Sequence, residues 1–343
     1  MSEFNRRTFL RNSLLVGGGL MLGMPALNLA NAAEVQTLTL YSGQHEKTTQ
    51  AIVDAFTKAT GIQVNIRAGN SIQLANQIIE EGKRSPADVF YSEESPPVAA
   101  LAERDMLARL PQATLDQVRE TYRATDGTWT GITARCRVTV FNPDLVDESE
   151  LPSSVMDMAT EAWKDRVAFV PTSGAFQQQI VAIKHLLGRE AALDWLKGLK
   201  KYGRIYNNNM AAMRAVERGE IATALVNNYY WYIVAREQGV DNMKSRLHFS
   251  GPQDPGALIT VSAAGVLKTA KNMDAAQKLI AFMTSIEGQQ VYAQGVAEWP
   301  MNPAVESSFN IKPFDELQPP AVNPANLGGA EEALALRREA GLA

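Results

Sequence analysis

The chain has 343 residues, 45% hydrophobic and 20% charged, which is enough apolar material for substantial cores and a length that favours two lobes over one. A formal net charge of −4, with Lys and Arg scattered along the chain, supplies no basic field, so neither nucleic acid nor an anionic membrane is an expected partner. The single cysteine, Cys136, excludes an intramolecular disulfide and any thiolate cluster, and a metal would have to be held by oxygen and nitrogen.

Residues 1–33 read as an export leader. Arg6 and Arg7 sit in a twin-arginine pattern, an apolar run from Leu14 to Leu22 follows, and Ala30-Asn31-Ala32 is a small-residue cleavage site, so the mature chain is expected to begin near Ala33 in the periplasm. A membrane anchor would need about 20 unbroken apolar residues. This run is shorter, rich in glycine and interrupted at Pro25.

Beyond the leader, short β-rich runs alternate with helical patterns. Thr37 to Ser42 is a predicted strand, and Gly43-Gln44-His45 opens a helix with apolar Ile52, Ala55, Phe56 and Ala59 that stops at Gly61. Val64 to Arg67, a helix from Leu74 to Glu81, Ala87 to Ser92 and a helix started by Pro96-Pro97 complete a βαβαβ series, which predicts a parallel sheet covered by helices. A two-strand segment over Gly131 to Phe141 leads to a second series. It comprises a strand at Val167 to Pro171, helices at Phe176 to Leu187 and Met210 to Arg218, a strand at Ala222 to Val226 and a helix at Tyr229 to Glu237. A β-rich stretch from Ala257 to Leu267, a helix from Met273 to Ser285 and a proline-rich portion from Trp299 to Pro324 follow. With no low-complexity linker, the lobes would be joined by crossing strands at Arg135 to Phe141 and Leu258 to Val266, which together make a hinge.

In open α/β sheets, ligands bind beyond the carboxyl ends of the strands. His45 follows the first strand, Glu93 the third, Thr172-Ser173-Gly174 the strand at 167–171, and Asn227-Asn228-Tyr229-Tyr230 the strand at 222–226. Taken singly, paired tyrosines are an aromatic packing cluster, His45 a loop histidine and Glu93 helix-terminal charge. Their shared position gives a joint reading: two phenolates and a carboxylate balance a hard trivalent cation such as ferric iron, and an imidazole completes the set. Phenols titrate near 10, so the cation must displace their protons, helped by the positive end of the helix that Asn228 is expected to cap. His185 and His248 are expected to be structural. Thr172-Ser173-Gly174-Ala175 precedes a helix and suits phosphate or carbonate, or simply caps that helix; Asn209 and Asn227 are further donors or caps.

At these residues the sequence closely resembles the periplasmic ferric-ion-binding proteins, the iron-uptake branch of the ABC-transporter substrate-binding superfamily. The resemblance runs from about Leu38 to the C-terminus through YSGQH (41–45), EEGKRSPADVFYSEE (80–94), VPTSGAF (170–176), NNYYW (227–231) and WPMNP (299–303), with Trp299 where relatives often carry a smaller residue or tyrosine. It implies a type II periplasmic binding protein, with residues 34–136 plus about 260–310 in one mixed α/β lobe and 137–259 plus about 311–343 in the other. His45, Glu93, Tyr229 and Tyr230 would then hold Fe3+, and Ser173, Gly174, Ala175, Asn209 and Asn227 a synergistic anion, phosphate or carbonate. A monomer that delivers iron to an inner-membrane ABC permease is expected, closed by metal that bridges the lobes. Thiamine, sulfate, phosphonate or polyamine on the same fold is the alternative. No G-x-S-x-G or H-E-x-x-H motif occurs, and no catalysis is expected.

Overall fold

The computed structural model describes residues 37–323, 327 and 330–343; the leader motif and its cleavage site lie outside them. Ten strands are present among the described residues: β1 (Thr37–Ser42), β2 (Gln63–Ala68), β3 (Val89–Ser92), β4 (Thr130–Phe141), β5 (Val167–Phe169), β6 (Arg204–Ile205), β7 (Thr223–Asn227), β8 (Arg246–His248), β9 (Ile259–Val266) and β10 (Trp299–Pro300). They run in the order β2-β1-β3-β9-β4-β7-β5-β6, with β8 and β10 added to β4.

β4 divides this order into two lobes. Over Thr130 to Cys136 it pairs antiparallel with β9, whereas over Arg137 to Phe141 it pairs antiparallel with β7. The Arg137 amide donates to the Leu258 carbonyl at 2.9 Å, so the chain entering β9 is tied to β4 where the partner changes. Cys136 is a free thiol buried at this crossing. The expected two-strand segment is thus one twelve-residue strand with every residue buried, bent by a register shift between Gly131 and Ala134 rather than broken by a turn.

In each lobe the two-residue alternation of the strands feeds two cores. Leu38, Leu40, Val89 and Tyr91 pack with Ile52 and Phe56 on one face, and Tyr41 and Phe90 pack with Leu74, Ile78 and Leu101 on the other. Beyond the crossing, Val138, Val140, Ala224 and Val226 pack with Met213 and Val216, while Phe141 and Leu225 join Phe169, Phe176 and Trp195. Strand ends differ from the sequence reading by one or two residues: β3 starts at Val89, β5 stops at Phe169 and β9 spans Ile259 to Val266.

Four α-helices were not anticipated: the single turn Gln112–Leu115, and Arg189–Tyr202, Ile286–Gly295 and Ala330–Glu339. Arg189–Tyr202 follows its predecessor after the single residue Gly188 (φ 93°), and Ile286–Gly295 follows after Ser285, which caps it by accepting from the Gly288 amide. Each junction is too short to show as a loop in the pattern. Among the described residues no helix is long and apolar enough to cross a membrane.

Gly198 marks the closest backbone approach within the helix Arg189–Tyr202. A Cβ there would lie 2.2 Å from the Ala159 carbonyl oxygen. Alanine is the better helix former by about 1 kcal/mol, but it would have to push the helix off its neighbour. Gly198→Ala is therefore expected to lower stability by about 1–3 kcal/mol in denaturant unfolding, against its helix propensity.

Candidate functional site

Each expected ligand leaves the end of a strand. His45 is the residue before the helix Glu46–Thr60, three residues beyond β1. Glu93 follows β3 directly, its amide donating to Ser71 Oγ at 3.0 Å and its carbonyl accepting from Arg135 Nη1. Tyr229 and Tyr230 are the second and third residues of the helix Asn228–Gln238, which starts as β7 ends.

The structure brings these four residues together. His45 Nε2 lies 3.7 Å from Glu93 Oε1, and the Tyr229 hydroxyl donates to the same oxygen at 3.4 Å. The His45 and Tyr229 rings meet edge-on at 5.9 Å, and the two tyrosine rings lie 4.3 Å apart at 35°. Adjacent helical side chains normally diverge, but the first turn after an extended Asn227 (φ −87°, ψ 152°) lets the phenols converge. Bonds of about 2 Å, as imidazole and carboxylate make to metals, set neighbouring donors about 3 Å apart, close to the spacing found here. Among the described residues no group of three or more His, Cys, Asp or Glu is placed to hold a metal, so a cation at this point would have to recruit the phenols.

Burial raises the proton affinity of both phenols: Tyr229 stands well above the ordinary tyrosine value, with Tyr230 and Glu93 adding to the shift, and Tyr230 stands above it although its hydrogen bonds with Tyr229 and Asn209 pull the other way. Two buried guanidinium groups oppose this. Burial alone would pull Arg135 down, but Glu298, at 3.1 Å, and Glu93 outweigh it and hold its pKa up. Its charge lies 5.8 Å from the Tyr229 ring centre. Arg137 is bonded to Gln179 Oε1, Asn227 Oδ1 and the Leu225 carbonyl, none of them a carboxylate. Burial pulls its pKa down to about 10, while the nearby tyrosines resist.

The second expected group also gathers. Asn209 Nδ2 donates to Ser173 Oγ at 3.0 Å and to the Tyr230 hydroxyl at 3.2 Å, so the pocket before the helix Gly174–Leu187 adjoins the phenols. Ser173 occupies the capping position without making a capping bond. Asn209 and Asn227 make none either: Asn208 caps the helix at 209, and Asn227 accepts from Arg137. Asn228 is no cap, contrary to expectation. It is already helical, and its side chain accepts from the Cys136 amide and donates to the Ala297 carbonyl, both buried demands that outrank capping. Asn209 Oδ1 is buried without a partner, and an anion carrying a proton, or an amide turned over, would satisfy it.

Glu94, which the sequence reading did not single out, also reaches this group. A Cβ on Gly174 would fall 2.0 Å from its Oε1, so glycine is what allows the carboxylate to rest on the first turn of that helix. Burial and then Glu93 push the Glu94 carboxyl up to about 7. The Arg135–Glu298 pair was illegible in sequence because 163 residues separate its members. His185 is exposed near the end of its helix, and His248 in β8 approaches the Pro152 carbonyl at 3.3 Å; neither is among these residues. Glu298→Ala would strand a buried guanidinium and is expected to cost about 3–5 kcal/mol in denaturant unfolding.

Comparison with known proteins finds relatives of nearly the whole chain. The model of the bacterial extracellular solute-binding protein family matches residues 51–316. The major ferric iron-binding protein of Neisseria meningitidis is 47% identical over 319 residues, spanning 92% of this chain and 96% of its own. The Fe(3+)-binding periplasmic protein of Serratia marcescens is 35% identical, spanning 93% and 94%. The crystal structure of iron-bound HitA from Pseudomonas aeruginosa superposes with a TM-score of 0.86 at 53% identity, covering 90% of this chain and 100% of that one. The two-lobed α/β fold is that of the periplasmic binding proteins. The chain belongs to the bacterial extracellular solute-binding protein family, in the branch of the ferric iron-binding proteins.

Proposed function

We propose that this protein captures ferric iron outside the cytoplasm through His45, Glu93, Tyr229 and Tyr230 and delivers it to an inner-membrane ABC permease. The observation that carries this reading is the meeting of the tyrosine pair with His45 and Glu93 around one small volume. The proton on the Tyr229–Glu93 hydrogen bond is one that the cation must expel. With both phenols ionised and Glu93, three negative charges match Fe3+. The relatives' names and the iron-bound Pseudomonas structure support the same cargo.

A synergistic anion follows from charge. Arg135 is balanced by Glu298, whereas Arg137 has no carboxylate partner and remains an uncompensated positive charge beside the loaded site. Phosphate or carbonate would take the amides of Gly174 and Ala175, the Ser173 hydroxyl and the side chains of Asn209 and Asn227. Residues 34–136 with about 260–310 form the lobe that carries His45 and Glu93, and residues 137–259 with about 311–343 the lobe that carries the tyrosines. Metal then bridges the lobes across the β4 crossing and favours closure, which the permease reads. The protein acts as a monomer without catalysis and reaches the periplasm through the twin-arginine leader of residues 1–33.

Adding a ferric chelate to the metal-free protein should produce a strong visible charge-transfer band, lost in the Tyr229→Phe, Tyr230→Phe double variant. A colourless wild-type protein would refute the assignment. Because burial keeps both phenols protonated in the empty protein, loading releases two protons, and apparent affinity should fall about a hundredfold per unit drop in pH near neutrality. A pH-independent affinity, measured by competition with a chelator of known protonation, would contradict phenolate ligation. Asn209→Ala should speed iron loss more in one of phosphate and carbonate buffer than in the other.

A further inference from the structure

A cavity of about 680 Å³ includes Glu94 and Gly174 in its wall but none of His45, Glu93, Tyr229, Tyr230 or Asn209. That volume lies within the range of small-molecule sites. Its apolar surface comes from two facing helices: Ile72, Ala75 and Ile79 share one side of Ser71–Glu81, and Val181 lies one turn from Gln178 on Gly174–Leu187. Ala100 and Leu327 extend it.

The polar part of the wall is one-sided. Glu94, Glu103, Glu331 and Glu332 contribute four carboxyl groups, against Arg104. Glu332 is paired with Lys184, and Arg104 donates to the Ala100 carbonyl. Gln178 is only 5% exposed, yet its Oε1 has no hydrogen-bond partner. Leaving a buried acceptor unpaired is unfavourable, and Gln178 is one of the residues that line the cavity.

We infer that this cavity is a second ligand site, for a protonated amine carrying an apolar body. The ammonium donates to Gln178 Oε1 and the Glu94 carboxyl and is held by the surplus charge of Glu103 and Glu331. The body covers the Ile72, Ile79 and Val181 side chains. An organic anion would face the acidic wall, and a neutral alcohol would leave its charge unanswered.

Calorimetric titration of the iron-loaded protein tests this with three probes of one shape: 2-phenylethylammonium, 2-phenylethanol and 3-phenylpropionate. The amine should bind at least about tenfold more tightly than the alcohol, and the carboxylate should give no heat. Gln178→Leu should weaken the amine about tenfold. Asn76→Trp, from an exposed helix position on the rim, and Ala100→Phe should each abolish amine binding while the ferric colour stays unchanged. The proposal is overturned if amine and carboxylate bind alike, if neither filled variant reduces amine binding, or if the wild-type protein gives no heat with millimolar amine. The visible band is read in the same samples, so loss of the iron assignment would register separately.

Discussion

Strand β4 is one run of backbone shared between two sheets, and the rest of the molecule is referred to it. Up to Cys136 it pairs with β9 and β10, and from Arg137 onward with β7 and β8. Because a ladder leaves each residue little freedom, the two sheets are fixed to each other wherever this strand is fixed. Its side chains carry the same duality. Arg135 binds the Glu93 carbonyl and Glu298, whereas Arg137 binds Asn227 and the Leu225 carbonyl under the tyrosines. Two residues of one strand thus touch the supports of both halves of the candidate site.

Buried charge is the cost of this arrangement. Two guanidinium groups lie almost wholly out of water beside two phenols. Arg135 meets a full carboxylate, and so its burial is compensated within the protein. Arg137 has only neutral acceptors. Such a group is stable enough when fully hydrogen-bonded, but its field remains available to whatever anion forms next to it. The phenols lie within reach of that field, and on the function proposed above they become anions when a cation replaces their protons. Stability of the empty protein and readiness for a highly charged cargo therefore draw on the same residues.

Much of this was legible in the sequence. The βαβαβ series, the strand exits and the four residues His45, Glu93, Tyr229 and Tyr230 follow from local pattern and chain order, because a parallel sheet aligns the carboxyl ends of its strands. What stayed hidden is what depends on distant pairing or on competition between partners. Asn228 looked like a cap, but two buried backbone groups take its side chain. Glu298 gave no sign of its role, since no periodicity links it to Arg135. Glu94 carried no signal of its own beside Glu93, and only its fit against Gly174 shows that successive carboxylates serve different walls. The helices at 189–202 and 286–295 escaped because their junctions are single residues.

The shared strand also limits how this protein can change over evolutionary time. Side chains alternate faces along β4, so losing or gaining one residue near Cys136 would exchange the two faces of everything beyond it. Arg137 would turn toward the apolar layer that now receives Val138, and Val138 would take its place beneath the phenols. Surface loops elsewhere can lengthen freely, whereas this segment can vary in composition but not in length.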